Sequence, residues 1–171
     1  YLDPLRERVK ANGGSVYSGG KPFYLLIDIK SDGESTYAAL DKVLADYADV
    51  ISSVRNGTDE PKAIQAVISG ACPRETIAAA EVRYAGIDGR MGDLESDVPA
   101  HLMPLVSDRW GAHFKWRGKG AISPEEQAKL KQAVDAAHAH GRRIRFWATP
   151  ETIEAWTVLQ AAGVDHINTD N

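Results

Sequence analysis

Cysteine occurs once in these 171 residues, as Cys72. A single thiol excludes an internal disulfide and leaves the redox compartment undecided. Long apolar runs are missing too. Nothing approaches the ~20 residues that cross a bilayer, so no integral membrane segment is expected. Basic excess is absent: 20 Lys and Arg face 24 Asp and Glu, for a net charge of −4. That balance gives no polybasic surface and argues against nucleic acid as the main partner. No low-complexity stretch or shift in composition marks a boundary, so 1–171 reads as a single domain. No signal peptide is visible and the first residue is Tyr1 rather than Met. A processed form or an excerpt is therefore expected, and a secreted or periplasmic location stays open if a signal peptide has been removed. With 43% hydrophobic and 26% charged residues, the chain has the make-up of a soluble globular protein with one core.

What is present is a rhythm. Six short apolar runs, at 23–29, 63–69, 84–88, 103–108, 144–149 and 164–170, each close on a polar or acidic residue, and most lead into a helix-like stretch. Strand, polar tip and helix in repetition predict an α/β fold, a TIM-type (β/α)8 barrel whose chemistry sits at the strand C-terminal ends. A full barrel takes about 250 residues, so about six βα units are expected here and roughly two are unaccounted for. Helices are expected over 2–11, with Leu2, Leu5 and Val9 on one stripe, and over 36–47, with Leu40, Val43, Leu44 and Tyr47. Cys72-Pro73 opens another, with the proline in its first turn. Ser123-Pro124-Glu125-Glu126 predicts a helix start in which Ser123 caps and Glu126 completes a capping box. That helix runs to about His140, with Gly141 as its stop. Thr149-Pro150-Glu151 starts the last helix in a similar way. Residues 50–54 read as a partial strand, 55–61 and 113–120 as loops, and 91–101 as irregular chain.

Several segments carry a likeness to a known family. They are Leu25-Leu26-Ile27-Asp28-Ile29-Lys30, Ser107-Asp108-Arg109-Trp110 with Phe114-Lys115-Trp116, Phe146-Trp147-Ala148-Thr149-Pro150-Glu151, and Ala162-Gly163-Val164-Asp165-His166-Ile167-Asn168-Thr169-Asp170. From position 23 onward the chain resembles the phospholipase C-like phosphodiesterase superfamily, and within it the glycerophosphodiester phosphodiesterase-like branch grouped with fungal mitochondrial-inheritance factors. The resemblance implies a TIM-type barrel, a divalent metal, calcium or magnesium, and hydrolysis of a small phosphodiester, with two histidines as general acid and base. The sequence departs from that pattern at one place. No His-Arg-Gly or His-x-Asn-Asp segment occurs, and no Glu-x-Asp strand end precedes Phe23. The resemblance then implies that the first two βα units, with the catalytic histidines, lie outside this chain. A catalytically silent barrel that binds or scaffolds is the alternative. The oligomeric state is open, but an incomplete barrel by itself is expected to pair with another copy or aggregate.

Within that resemblance three residues carry the expected site. Asp28 and Lys30 differ by two, so on a strand both point to one side. There Asp28 can bind a hard cation, and Lys30 can act as the catalytic and substrate-binding cation on phosphate oxygens. The competing reading is an internal salt bridge at a strand end. Trp147 is expected either as an aromatic wall against an apolar part of the substrate or as barrel core. A different barrel enzyme, an aldolase or isomerase with Lys30 as Schiff-base nucleophile, ranks lower, because Asp28 favours a charged lysine. Asp88-Gly89 reads as a turn dipeptide, while Asp108 and Asp170 end strands and stay open. Glu151 reads as a helix-dipole acid, and His138 and His140 as residues suited to a helix C-terminus. His101, His113 and His166 have no partner at metal-ligand spacing. Lys115, Arg117 and Lys119 with Trp116 read as a solvated basic loop able at most to steer an anion.

Overall fold

Where the sequence carries its buried runs the backbone forms parallel ladders, seen in a computed structural model that describes residues 1–170. The chain divides into two units, Tyr1–Asp88 and the part from Gly89 onward.

In the first unit, α1 (Leu2–Ala11) precedes β1 (Phe23–Ile29), α2 (Gly33–Ala45), β4 (Ile64–Gly70), α3 (Arg74–Ala79) and β6 (Ala85–Gly89). β1 and β4 run parallel from Phe23↔Ile64 to Ile29↔Gly70, and β4 pairs β6 in parallel from Ala66↔Ala85 to Ile68↔Ile87. β4 is deeply buried, with Ile64, Ala66, Val67 and Ile68 inaccessible to solvent. Each such branched side chain contributes on the order of 1.5–3 kcal/mol by burial. Asp32 caps α2 by accepting the Ser35 amide at 2.9 Å. α3 begins one residue later than expected, so Pro73 stands at its N-cap rather than in its first turn. Residues 53–60, expected as the end of a partial strand and a loop, form an antiparallel hairpin instead: β2 (Ser53–Arg55) pairs β3 (Thr58–Glu60), and β5 (Val82–Arg83) joins its other side. The turn is Asn56-Gly57, both with positive φ (48° and 77°), the conformation that matches the twist of two tightly connected strands.

In the second unit a 3₁₀ turn (Met91–Asp93) is followed by β7 (Leu105–Arg109), α4 (Trp110–His113), α5 (Pro124–Ala139), β8 (Arg143–Trp147), α6 (Ile153–Ala162) and β9 (His166–Ile167). β8 lies between β7 and β9, parallel to both. One face of this sheet and the helices enclose a core that includes Val106, Ile144, Phe146, Leu130, Val134 and Leu159. Trp110 and Phe114 stack at 4.1 Å between ring centroids, and both meet Phe146 edge-on. Arg142 is 1% exposed. Its guanidinium donates to the carbonyls of Asp93 (2.6 Å), Leu94 (3.2 Å), Ser96 (2.5 Å) and Val98 (2.6 Å) and to Ser96 Oγ (3.1 Å), tying residues 93–98 to the start of β8.

Two helix starts differ from expectation. Ser123 does cap α5, accepting the Glu126 amide at 3.2 Å. Glu126 does not return to Ser123, because its carboxylate takes the backbone N–H groups of Lys115 and Trp116, which need an acceptor in a loop without a ladder. α6 starts at Ile153, capped by Thr152, whose hydroxyl accepts the Ala155 amide at 3.1 Å. Gly163 closes α6 in the left-handed region at φ 90°.

Six strands in parallel ladders, three per unit, alternate with helices along the chain. The fold is α/β, with the strand–helix alternation of a partial TIM-type barrel. Among the described residues no helix is long and apolar enough to cross a membrane.

Candidate functional site

At the C-terminal end of β1 the apolar run gives way to Asp28 and, one residue past the strand, Lys30. The structure brings them together: Lys30 Nζ is 2.7 Å from Asp28 Oδ2, with side chains 81% and 47% exposed. An exposed pair of this kind contributes at most about 1 kcal/mol to stability. The ends of β1 and β4 approach closely beside it. Gly70 has φ 71°, and a Cβ there would collide with Asp28 Oδ1 and the Ile29 carbonyl. Only glycine combines that backbone conformation with that lack of volume. Asp28 therefore has one oxygen on Lys30 and the other over the end of β4.

Asp88 lies inside a strand rather than in a turn, which corrects the expectation drawn from Asp88-Gly89. It is 4% exposed and accepts the hydroxyl proton of Ser69 at 2.6 Å, Ser69 being 8% exposed. A buried carboxylate needs such donors, and this one lies nineteen residues away in sequence.

The described residues give a divalent cation no ready-made cage, since Asp28 is already paired with Lys30. Asp28 is a single carboxylate, and among the described residues no group of three or more His, Cys, Asp or Glu side chains forms a cage. Hard cations such as magnesium are commonly held by one or two carboxylates while keeping several waters.

In the second unit Trp147 ends β8, opposite Arg109 of β7 in register. Trp147 is 39% exposed, whereas Phe146 beside it belongs to the core. The next residue, Ala148, has φ 52°, a conformation costly for a residue with a Cβ, so the chain turns sharply behind the indole. Asp108, left open by the sequence, organises the end of β7. Its carboxylate accepts the amides of Arg109 at 2.8 Å and Met91 at 3.2 Å, and His113 Nε2 stands 3.0 Å away. Burial alone would raise this carboxyl; the Arg109 amide, His113 and the Met91 amide outweigh it and hold it below the ordinary aspartate range. The partnership of Asp108 with His113 escaped the sequence reading; an acid at a strand end and a histidine five residues on in a short helix was its only signal.

The basic loop is exposed at Lys115, Arg117 and Lys119 but tethered. Trp116 Nε1 donates to the Lys119 and Gly120 carbonyls, and Thr152 Oγ1 donates to the Gly118 carbonyl at 3.1 Å. Glu151 precedes α6 and accepts the Asp170 amide at 2.7 Å, so it joins strand-end chain rather than serving a helix dipole. His138 is bonded to Asp165 at 2.8 Å, and His140 to the Ala136 carbonyl at 3.0 Å. Burial lowers the pKa of His166 on β9.

Residues 143–171 match the Glycerophosphoryl diester phosphodiesterase family. Over 169 residues the chain is 25% identical to a protein of Arthroderma benhamiae (strain ATCC MYA-4681 / CBS 112371) described as "Altered inheritance of mitochondria protein 6 homolog", an alignment covering 90% of this chain and 52% of that protein. The chain thus spans about half the length of the curated relative it matches. No solved structure matches.

Proposed function

We infer that this chain, a member of the glycerophosphodiester phosphodiesterase-like branch of the phospholipase C-like phosphodiesterases, supplies part of a metal-dependent hydrolase acting on a small phosphodiester. The observation that carries the reading is the acid–base pair at the tip of β1, Asp28 and Lys30 at 2.7 Å. Asp28 offers an oxygen to calcium or magnesium. Lys30, on its long exposed side chain, moves from Asp28 to the non-bridging oxygens of the phosphodiester and offsets the charge that grows there. The bound cation would supply the same stabilisation as a Lewis acid. Trp147 is assigned to an apolar part of the substrate, which its half-exposed indole can cover. General acid–base work is assigned to histidines outside these 171 residues, since no His-Arg-Gly or His-x-Asn-Asp segment occurs in them.

The test is hydrolysis of bis(p-nitrophenyl) phosphate by the whole protein, with and without added magnesium or calcium. Asp28→Ala is expected to remove the cation-dependent rate, a loss of at least about 100-fold. An unchanged rate rejects the assignment. The missing histidine motifs favour one other reading, a silent barrel that binds a phosphodiester. It would be recognised by retained binding without turnover at saturating cation.

A further inference from the structure

Two exposed arginines of the second unit meet at the end of β7. Arg109 ends that strand in register with Trp147 of β8, and register partners place their side chains on one face. Val106, Ile144 and Phe146 fill the opposite face, so Arg109 and Trp147 point away from the core. Arg117 arrives from the loop after α4. Its guanidinium lies against Gly111, next but one after Arg109, where a Cβ would stand 3.2 Å from Nη1. Among the described residues neither guanidinium donates to a carbonyl or carboxylate or stacks on a ring, and the Trp147 indole N–H meets no acceptor. Their backbones, by contrast, are fixed. The Arg109 amide donates to Asp108 at 2.8 Å. Both carbonyls that flank Arg117 are held, that of Trp116 by the Trp110 indole at 2.9 Å and that of Gly118 by Thr152 Oγ1 at 3.1 Å. Gly118, at φ 77°, packs on Pro150 and Thr152 where a Cβ would collide with both, which ties this loop to the chain that follows Trp147.

Carboxylates on the neighbouring chain are engaged elsewhere. Asp108 takes the Arg109 and Met91 amides and faces His113, Glu126 takes the Lys115 and Trp116 amides, and Glu151 takes the Asp170 amide. Two cationic forks on a held backbone, with no counter-charge of their own, call for an anion. Guanidinium geometry matches phosphate oxygens, and a backbone already ordered lowers the entropy lost on binding. Strain points the same way, since φ 52° at Ala148 lies directly behind the indole and strained residues cluster at ligand clamps. We propose that Arg109 and Arg117 bind the phosphate of an organic phosphate ester whose carbon skeleton lies on Trp147. An exposed indole alone would also suit a quaternary ammonium, but the two guanidiniums repel such a group. The site therefore takes anionic esters and rejects cationic headgroups. This inference rests on the reading of Trp147 as a wall for the substrate and is independent of a metal at Asp28.

The experiment is isothermal titration of the whole protein, in EDTA, with phenyl phosphate, diphenyl phosphate and phenyltrimethylammonium. Both phosphates are expected to bind, the tighter one marking a monoester or a diester as the ligand, and the ammonium ion is not. Arg109→Gln and Arg117→Gln are each expected to weaken phosphate binding about tenfold or more, as loss of a charge-assisted hydrogen bond does. Their melting temperatures stay unchanged, because neither guanidinium holds another part of the fold. Trp147→Ala is expected to weaken phenyl phosphate while leaving inorganic phosphate as it was. Asp28→Ala binds phenyl phosphate like the parent. Phosphate affinity that survives both arginine changes overturns the proposal, as does equal binding of phenyltrimethylammonium or no binding of either ester. If Lys30→Ala abolishes binding and the arginine variants keep it, the proposal fails and the Lys30 reading stands. If Trp147→Ala binds phenyl phosphate as the parent does, the Trp147 reading fails and this inference with it.

Discussion

A side chain that donates five hydrogen bonds while almost wholly enclosed leaves little room for replacement. Arg142→Met keeps most of the buried volume but takes the guanidinium donor from the carbonyls of Leu94, Ser96 and Val98, while that of Asp93 keeps the Ser96 amide and hydroxyl. Each buried acceptor left without a donor costs roughly 1–3 kcal/mol before relaxation. Urea unfolding is expected to show a loss of about 3–5 kcal/mol, and a loss below ~1 kcal/mol would mean that water replaces the guanidinium. At this scale the sequence was legible where a residue breaks its local pattern. Asp28 and Lys30 stand out because they interrupt an apolar strand. Asp88 did not, because Asp-Gly is common in turns and its donor, Ser69, belongs to another strand. Arg142 follows a helix stop and looks like ordinary surface charge. Its partners, 44 to 49 residues away, could not be inferred from spacing.

Asp165 joins three elements. Its carboxylate meets His138 at the end of α5 (2.8 Å), Arg143 (2.6 Å) and the Ile144 amide (2.9 Å) at the start of β8, one residue before β9. Burial alone would raise its pKa, but hydrogen bonds from His138, Arg143 and Ile144 outweigh burial and lower it. A group with a depressed folded pKa contributes stability that is present above its unfolded value, ~3.9 for aspartate, and is lost as pH falls through the folded one. Stability followed by urea unfolding is therefore expected to drop from about pH 5 downward. Asp165→Asn should be less stable at neutral pH and show a shallower acid loss; parallel profiles would exclude Asp165 as a source. Elements with strong periodicity or caps were legible, α1 and α5 above all. The hairpin at Asn56-Gly57 was not. Its flanking strands have three residues each and no apolar alternation, so only the turn dipeptide announced it. The box expected at Glu126 failed for a related reason, since the competing donors at Lys115 and Trp116 come from a loop whose path is set by tertiary contacts.

The α/β class was legible in the whole chain because parallel strands covered on both faces read as continuous apolar runs, and β4 follows that rule nearly throughout. Strand lengths were not: the expected run 164–170 contributes a ladder of two residues, His166–Ile167. Among the described residues β1 pairs only with β4, and β9 only with β8. Each leaves a row of backbone donors and acceptors that another chain can pair with. Light scattering on the 171-residue chain is expected to give a mass above 18.6 kDa, and a monodisperse monomer would count against an incomplete barrel. The Arg142 contacts carry a consequence for descent. Four of its five bonds go to main-chain carbonyls, which every amino acid possesses, so residues 93–98 can drift in identity across generations while the route of the backbone through them is inherited unchanged.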